Sequence, residues 1–183
     1  MRGQIFALLL VLAGPLALGG CASERASAPP QLASNHLPPP IQCVPFVREI
    51  TGVEIYGDAD TWWGAAAAKH YMRGSTPQVG AVLVLRATDR LRVGHIAAVR
   101  QIVNPREIRV THSNWGGDDA TRRLVHDAMP VLDVSPNNDW SQTRFWNNAT
   151  KGWGAIYPAH GFIYPSKDTE RRNVPVPNNI PTS

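Results

Sequence analysis

Between Pro77 and Gly80 the chain changes its hydrophobic period, and that switch constrains the fold more than any other feature. Upstream, apolar residues recur at helical spacing; downstream, short β-branched or alternating runs follow one another, separated by turn residues. Strands are predicted at 81–86, 94–101 and 107–111, divided by Thr88-Asp89-Arg90 and by Asn104-Pro105. Further strands are predicted at 123–126, 131–134, 144–146 and 162–164. Helices first and consecutive short strands afterwards predict an α+β fold with N-terminal helices packed on an antiparallel β-sheet.

Two helices precede the switch. In the first, Val44, Phe46, Val47 and Ile50 make an apolar face and Gly52 can end it as a left-handed residue. Pro45 is tolerated only in a first turn, which places Cys43 at or just before the helix N-terminus. There, unpaired backbone N–H groups and the positive end of the dipole favour a thiolate and predict a lowered thiol pKa. The second helix is predicted to start at Asp58 or Asp60, run through Trp62, Trp63 and the alanines at 65–68, and stop at Gly74.

With 183 residues, 43% of them hydrophobic and 17% charged, the chain suits one globular domain. Residues 1–20 read as an export signal: Arg2 supplies the positive start, and the apolar stretch from Ile5 to Leu18 is too short and broken to span a bilayer. The end of that signal, Leu18-Gly19-Gly20-Cys21, resembles the lipobox of bacterial lipoproteins, which implies lipid attachment at Cys21. Each buried methylene contributes about 0.8 kcal/mol to such an anchor. A Cys21–Cys43 disulfide is the rival reading, excluded if Cys21 is acylated. Residues 21–40 are small, polar and Pro-rich, a tether; 41–165 form the folded body; 166–183 read as a polar tail. The expected location is the cell envelope, lipid-anchored and facing the periplasm. Because Ala22 is not acidic, the outer membrane is favoured over the inner; without the anchor the protein is soluble in the periplasm or secreted. The net charge of +4 is too small and scattered to argue for nucleic acid.

In the folded body, 41–165, Cys43 is the one cysteine, and the body also offers His95 and Asn114. A thiol at a helix start, a histidine on a strand and an amide at the end of the next strand are the parts of a nucleophile, a base and a group that orients the base. Strand alternation puts His95, Ala97 and Val99 on one face, and a helix packed on that face would bring Cys43 to the ring.

Gln42-Cys43 opening a helix, Trp63, the run Pro77-Gln78-Val79-Gly80-Ala81-Val82-Leu83-Val84, and Gly94-His95-Ile96-Ala97-Ala98-Val99 together resemble the CHAP family, the cysteine- and histidine-dependent amidohydrolases/peptidases. The resemblance covers about 42–116. It implies a papain-like α+β fold and hydrolysis of peptidoglycan amide bonds, as an N-acetylmuramoyl-L-alanine amidase or a peptide endopeptidase, with Cys43 as nucleophile and His95 as base. Where the family often carries Glu two residues before an Asn, this chain has His112 before Asn114. Asn114 is the expected orienter and His112 the alternative. Gln42 is a candidate oxyanion donor, and Trp115 a candidate for lining the cleft. No cofactor is implied, and no H-E-x-x-H, C-x-x-C or His pair at ligand spacing suggests a metal. His36, His70, His126 and His160 read as surface or tail residues, and the stretch 116–119 as a polar turn. Without a carboxylate at the third position, a second reading stands: a catalytically silent envelope lipoprotein that binds peptidoglycan or a partner protein.

Overall fold

The structure, a computed structural model, describes residues 41–167. The export signal, Cys21 and the tether lie outside the described residues, as does the tail beyond Lys167.

Helix α1 spans Cys43–Thr51, with Pro45 in its first turn. It ends at Gly52, whose φ of 70° is left-handed and whose N–H donates to Arg48 O. A 3₁₀ turn, Ala59–Thr61, leads into α2, Trp62–Ala68. This second helix stops sooner than its alanine content predicts. His70 turns the chain at φ 62°, and the residues that follow form strand β1, Tyr71–Gly74. Pairing of β1 with the last strand and burial of Tyr71, whose hydroxyl accepts the Glu54 N–H at 3.0 Å, outweigh helix propensity here.

The remaining strands are β2 (Val82–Leu85), β3 (His95–Asn104), β4 (Glu107–Ser113), β5 (Val125–Asp133), β6 (Gln142–Asn147) and β7 (Gly152–Lys167), with a one-turn helix α3 (Asp119–Arg122) before β5. Every pairing is antiparallel, in the order β1-β7-β2-β3-β4-β5-β6, and β6 also pairs with β7. The sheet therefore closes on itself as a barrel from β2 to β7, with β1 added at the side of β7. Closure satisfies the backbone groups that an open sheet would leave on its edges.

Two predicted strands, 123–126 and 131–134, are one: β5 begins at Val125 and runs to Asp133, bending at Ala128 with φ 51°. The predicted strand 162–164 is the end of the 16-residue β7, which also takes in the start of the expected tail. Gly154, Pro158 and Gly161 hide that strand in the sequence, because each weakens the alternating signal.

Alternation sorts the side chains into two apolar sets. Leu83, Leu85, Ala97, Val99, Ile108, Val110, Val131, Phe145 and Phe162 fill the barrel interior. Val82, Val84 and Ile96, on the other face of β2 and β3, share a second buried cluster with Val47 of α1, Trp62 and Ala66 of α2, and Val53 and Ile55 between them. Full burial of one such large side chain stabilises by about 1.5–3 kcal/mol.

Candidate active site

Cys43 is the first residue of α1, and its free thiol is buried. The helix clusters with Ile96 and not with the His95 face of β3, against the sequence expectation. His95 instead points into the barrel, at its mouth. Both residues reach the rim, because the N-terminal end of α1 lies at the start of β3, where the Cys43 thiol meets the backbone of Ile96, the neighbour of His95. Gln42, Cys43, His95, Asn114 and Trp115 all line one cavity of about 750 Å³.

The tight turn into β3 depends on Gly94, at φ 68°. A Cβ there would lie 2.8 Å from both Asp60 N and Leu85 O. The backbone of Asp60 comes this close because its N–H donates to Val93 O at 2.9 Å. The glycine before His95 thus lets the 3₁₀ turn before α2 dock on the loop that delivers the histidine.

His95 is 2% exposed, and its Nε2 lies 2.8 Å from Nδ1 of His112. His112 is fully buried behind it, with its own Nε2 3.3 Å from Met129 Sδ. Asn114, in a left-handed conformation at φ 54°, turns its amide elsewhere: Nδ2 donates to Gln42 Oε1 at 2.7 Å. The expected contact between Asn114 and His95 is therefore replaced by one between His112 and His95. The reason is strand geometry: His112 is the last inward-facing residue of β4, opposite His126 on β5, whereas Asn114 lies beyond the strand where the chain has turned. Asn114 instead ties the end of β4 to the residue that precedes α1.

Trp115 is packed at 4.7 Å from the His95 ring and at 4.7 Å from Phe145, with Tyr157 at 5.1 Å. It lines the cavity as anticipated and also covers the histidine pair. His126, read from sequence as a surface residue, is half-buried; its Nε2–H donates to Trp115 O at 2.9 Å and its ring lies 5.3 Å from His112. The stretch read as a polar turn caps α3: Asp118 accepts the Thr121 N–H at 2.8 Å in a capping box, and the same loop lines the cavity. Sequence reasoning also missed Met129, Phe145, Tyr157 and the arginines Arg90, Arg92 and Arg122 on the cavity wall. The usable signal was register, since His112 opposite His126 on paired strands brings the histidines together.

The reacting groups themselves are held in their uncharged forms. Burial pushes the Cys43 thiol above its ordinary range, and backbone groups of Ile96, Val44 and Cys43 itself only partly offset this. That reverses the lowered pKa expected from the helix start: desolvation outweighs the backbone N–H groups. Burial, with a smaller contribution from His126, lowers His95 to about 3. His112 is held well below the ordinary histidine value by burial, then by His95 and His126. At neutral pH the centre holds a thiol and two uncharged imidazoles.

Comparison with known proteins matches residues 33–114 to the CHAP domain. A stretch of 78 residues, 41% of this chain, is 33% identical to staphylococcal secretory antigen ssaA2 of Staphylococcus aureus (strain MRSA252). The aligned stretch covers 28% of that relative's length. The CHAP match takes in α1 and the strands up to the end of β4, with Cys43, His95 and His112 inside it. The CHAP match associates this part of the chain with peptidoglycan hydrolases of the amidase or peptidase kind.

Proposed function

We propose that the protein is a cysteine hydrolase of peptidoglycan amide bonds, with Cys43 as nucleophile, His95 as base and His112 as the group that orients the base. The observation that carries this reading is the presence, at one cavity, of a thiol at a helix N-terminus and a buried histidine whose Nε2 is held by a second ring. As Cys43 Sγ attacks the carbonyl carbon, its proton passes to His95 Nδ1. His95 then returns that proton to the leaving nitrogen as the C–N bond breaks, leaving a thioester. Water attacks the thioester, gives a proton to His95, and releases the acid while Cys43 recovers its hydrogen. The products are one carboxylic acid and one amine.

Because thiol and imidazole are both neutral at rest, the thiolate forms as attack proceeds and is not stored beforehand. The developing oxyanion needs a donor; the Cys43 N–H and the Gln42 side chain serve. Asn114 fixes the Gln42 carboxamide by its oxygen, which turns Nε2 away from Asn114. Loss of one such donor costs roughly 3 kcal/mol of transition-state stabilisation. Trp115 offers an aromatic face for sugar or peptide, and an acyl anchor on Cys21 would keep the domain beside the wall.

One observation favours a second reading, a silent peptidoglycan-binding protein: burial disfavours the charged forms of both reacting groups, and among the described residues no carboxylate bonds to the histidine pair. Digestion of purified peptidoglycan by the full chain and by Cys43→Ala separates the two. The hydrolase reading expects new amino termini or released stem peptides from the wild type and none from the variant. Equal product from both ends it, and co-sedimentation with the sacculus without product supports the binding reading. Replacement of His112 by Ala is expected to lower the rate more than replacement of Asn114.

A further inference from the structure

The proton positions in the histidine pair are set by an apolar residue. We infer that Met129 is a positioning residue: its thioether fixes the tautomer of His112, and through it the tautomer of His95. This rests on the proposed thiol chemistry only for its catalytic consequence.

Met129 Sδ carries no hydrogen and can only accept. It lies 3.3 Å from His112 Nε2, with both side chains buried, so the favourable arrangement puts the His112 proton on Nε2. A neutral imidazole has one N–H, which leaves His112 Nδ1 as a bare acceptor. That nitrogen is 2.8 Å from His95 Nε2, which must then be the donor. His95, also uncharged, is left with its lone pair on Nδ1, the nitrogen not engaged with His112. Burial, which disfavours protonation of both rings, removes the doubly protonated alternatives. The opposite arrangement, with the proton on His112 Nδ1, would set two lone pairs against each other at Nε2 and Sδ and would put the His95 proton on Nδ1. His95 could not then accept from a thiol. In triads with a carboxylate or an amide, the third residue selects the tautomer. Here the third residue is itself a tautomeric ring, so it must be told which way to face, and the sulfur of Met129 does so. Trp115, Phe145 and His126 pack tilted against His112, and Trp115 also against His95, contacts between rings that position them without dictating a tautomer.

Long-range ¹H–¹⁵N correlation of the imidazole side chains at neutral pH reads the tautomers directly, on the ¹⁵N-labelled full chain. In the wild type both His95 and His112 are expected with the proton on Nε2. In Met129→Leu, which keeps the side chain's volume, His112 Nε2–H loses its acceptor. The ratio of tautomers is then expected to move toward Nδ1–H by about 2- to 10-fold, the worth of the one hydrogen bond that is lost. Met129→Gln, with a carbonyl acceptor, is expected to restore the Nε2–H form. A wild-type spectrum with His112 protonated on Nδ1 overturns the inference whether or not any variant folds, as does an unchanged ratio in Met129→Leu. If the tautomers are as stated but Cys43→Ala digests peptidoglycan as well as the wild type, the hydrolase reading fails and the tautomer inference stands. If both hold, Met129→Leu lowers kcat with little change in KM.

Discussion

Replacing Gly94 by alanine should be among the most damaging single-methyl additions in the chain, and the structure allows its size to be worked out. At φ 68° a residue with a Cβ costs roughly 1–2 kcal/mol in the left-handed region. The new methyl would also lie 2.8 Å from Asp60 N and from Leu85 O. Neither is a side chain that can swing aside: one belongs to the turn before α2, the other to the end of β2. Overpacking of this kind costs about 1–3 kcal/mol, and the reduced freedom of the unfolded chain returns about 0.4–1 kcal/mol. A net loss of about 2–4 kcal/mol is expected, a large part of a typical domain's stability. Urea unfolding followed by tryptophan fluorescence measures it, and with m of about 1–3 kcal/mol per M the midpoint should fall by roughly 1 M or more at unchanged m. Two other glycines calibrate the result. Gly52, at φ 70° with nothing within 4 Å of its added Cβ, should lose only about 1 kcal/mol as alanine. Gly64, exposed in α2 with equal room and no positive φ, should gain about 0.5–1 kcal/mol. A Gly94→Ala variant within about 0.5 kcal/mol of wild type, or Gly52→Ala as harmful as Gly94→Ala, would refute the reasoning.

The Cys43 thiol, raised by burial, should react with iodoacetamide along a pH profile whose midpoint lies above about 8.5, the value for an unperturbed thiol; a midpoint below that would show a thiolate that the site was not expected to hold. Stability should fall on acidification, because His95 titrates near 3 when folded and near 6.5 when unfolded: its contribution is present above pH 6.5 and is lost as pH drops toward 3. Urea midpoints at a series of pH values check this, and His95→Phe should flatten that slope. Asp133, buried with Ser135 N, Ser135 Oγ and Trp140 N donating to it and Arg106 at 3.8 Å, should cost about 3 kcal/mol when replaced by alanine, read as a fall in the urea midpoint.

What the sequence disclosed was local. Pro45 and Gly52 bracket α1 because one residue fits only a first turn and the other supplies a left-handed cap, and both act within a few residues. The period switch after Pro77 announces the sheet for the same reason. The misreadings come from long-range contacts. Tyr71 looked helical beside its alanines until β7 paired with it, and β7 itself was concealed by a proline and two glycines that a closed sheet tolerates. At the site, chain order put Cys43, His95 and Asn114 in view, but which ring nitrogen meets which partner depends on how β4 ends. That detail moved the contact with His95 from Asn114 to His112. Nothing in the spacing pointed to Met129, since a methionine in a strand reads as core.

Strand β7 carries a consequence for how the molecule comes into being. It pairs with β1, β2 and β6, so the barrel stays an open sheet until the segment Gly152–Lys167 arrives. Contacts such as Tyr164 Oη to Thr76 O join positions 88 apart and cannot form early, because the intervening loop must first be ordered. Gly154, Ala155 and Tyr157 on that strand also form one wall of the cavity. A nascent chain can therefore present Cys43 and His95 in order while having no enclosed pocket to use them in. The reacting groups thus come from α1, β3 and β4, while the wall that faces them waits for β7 to pair with β2 and β6.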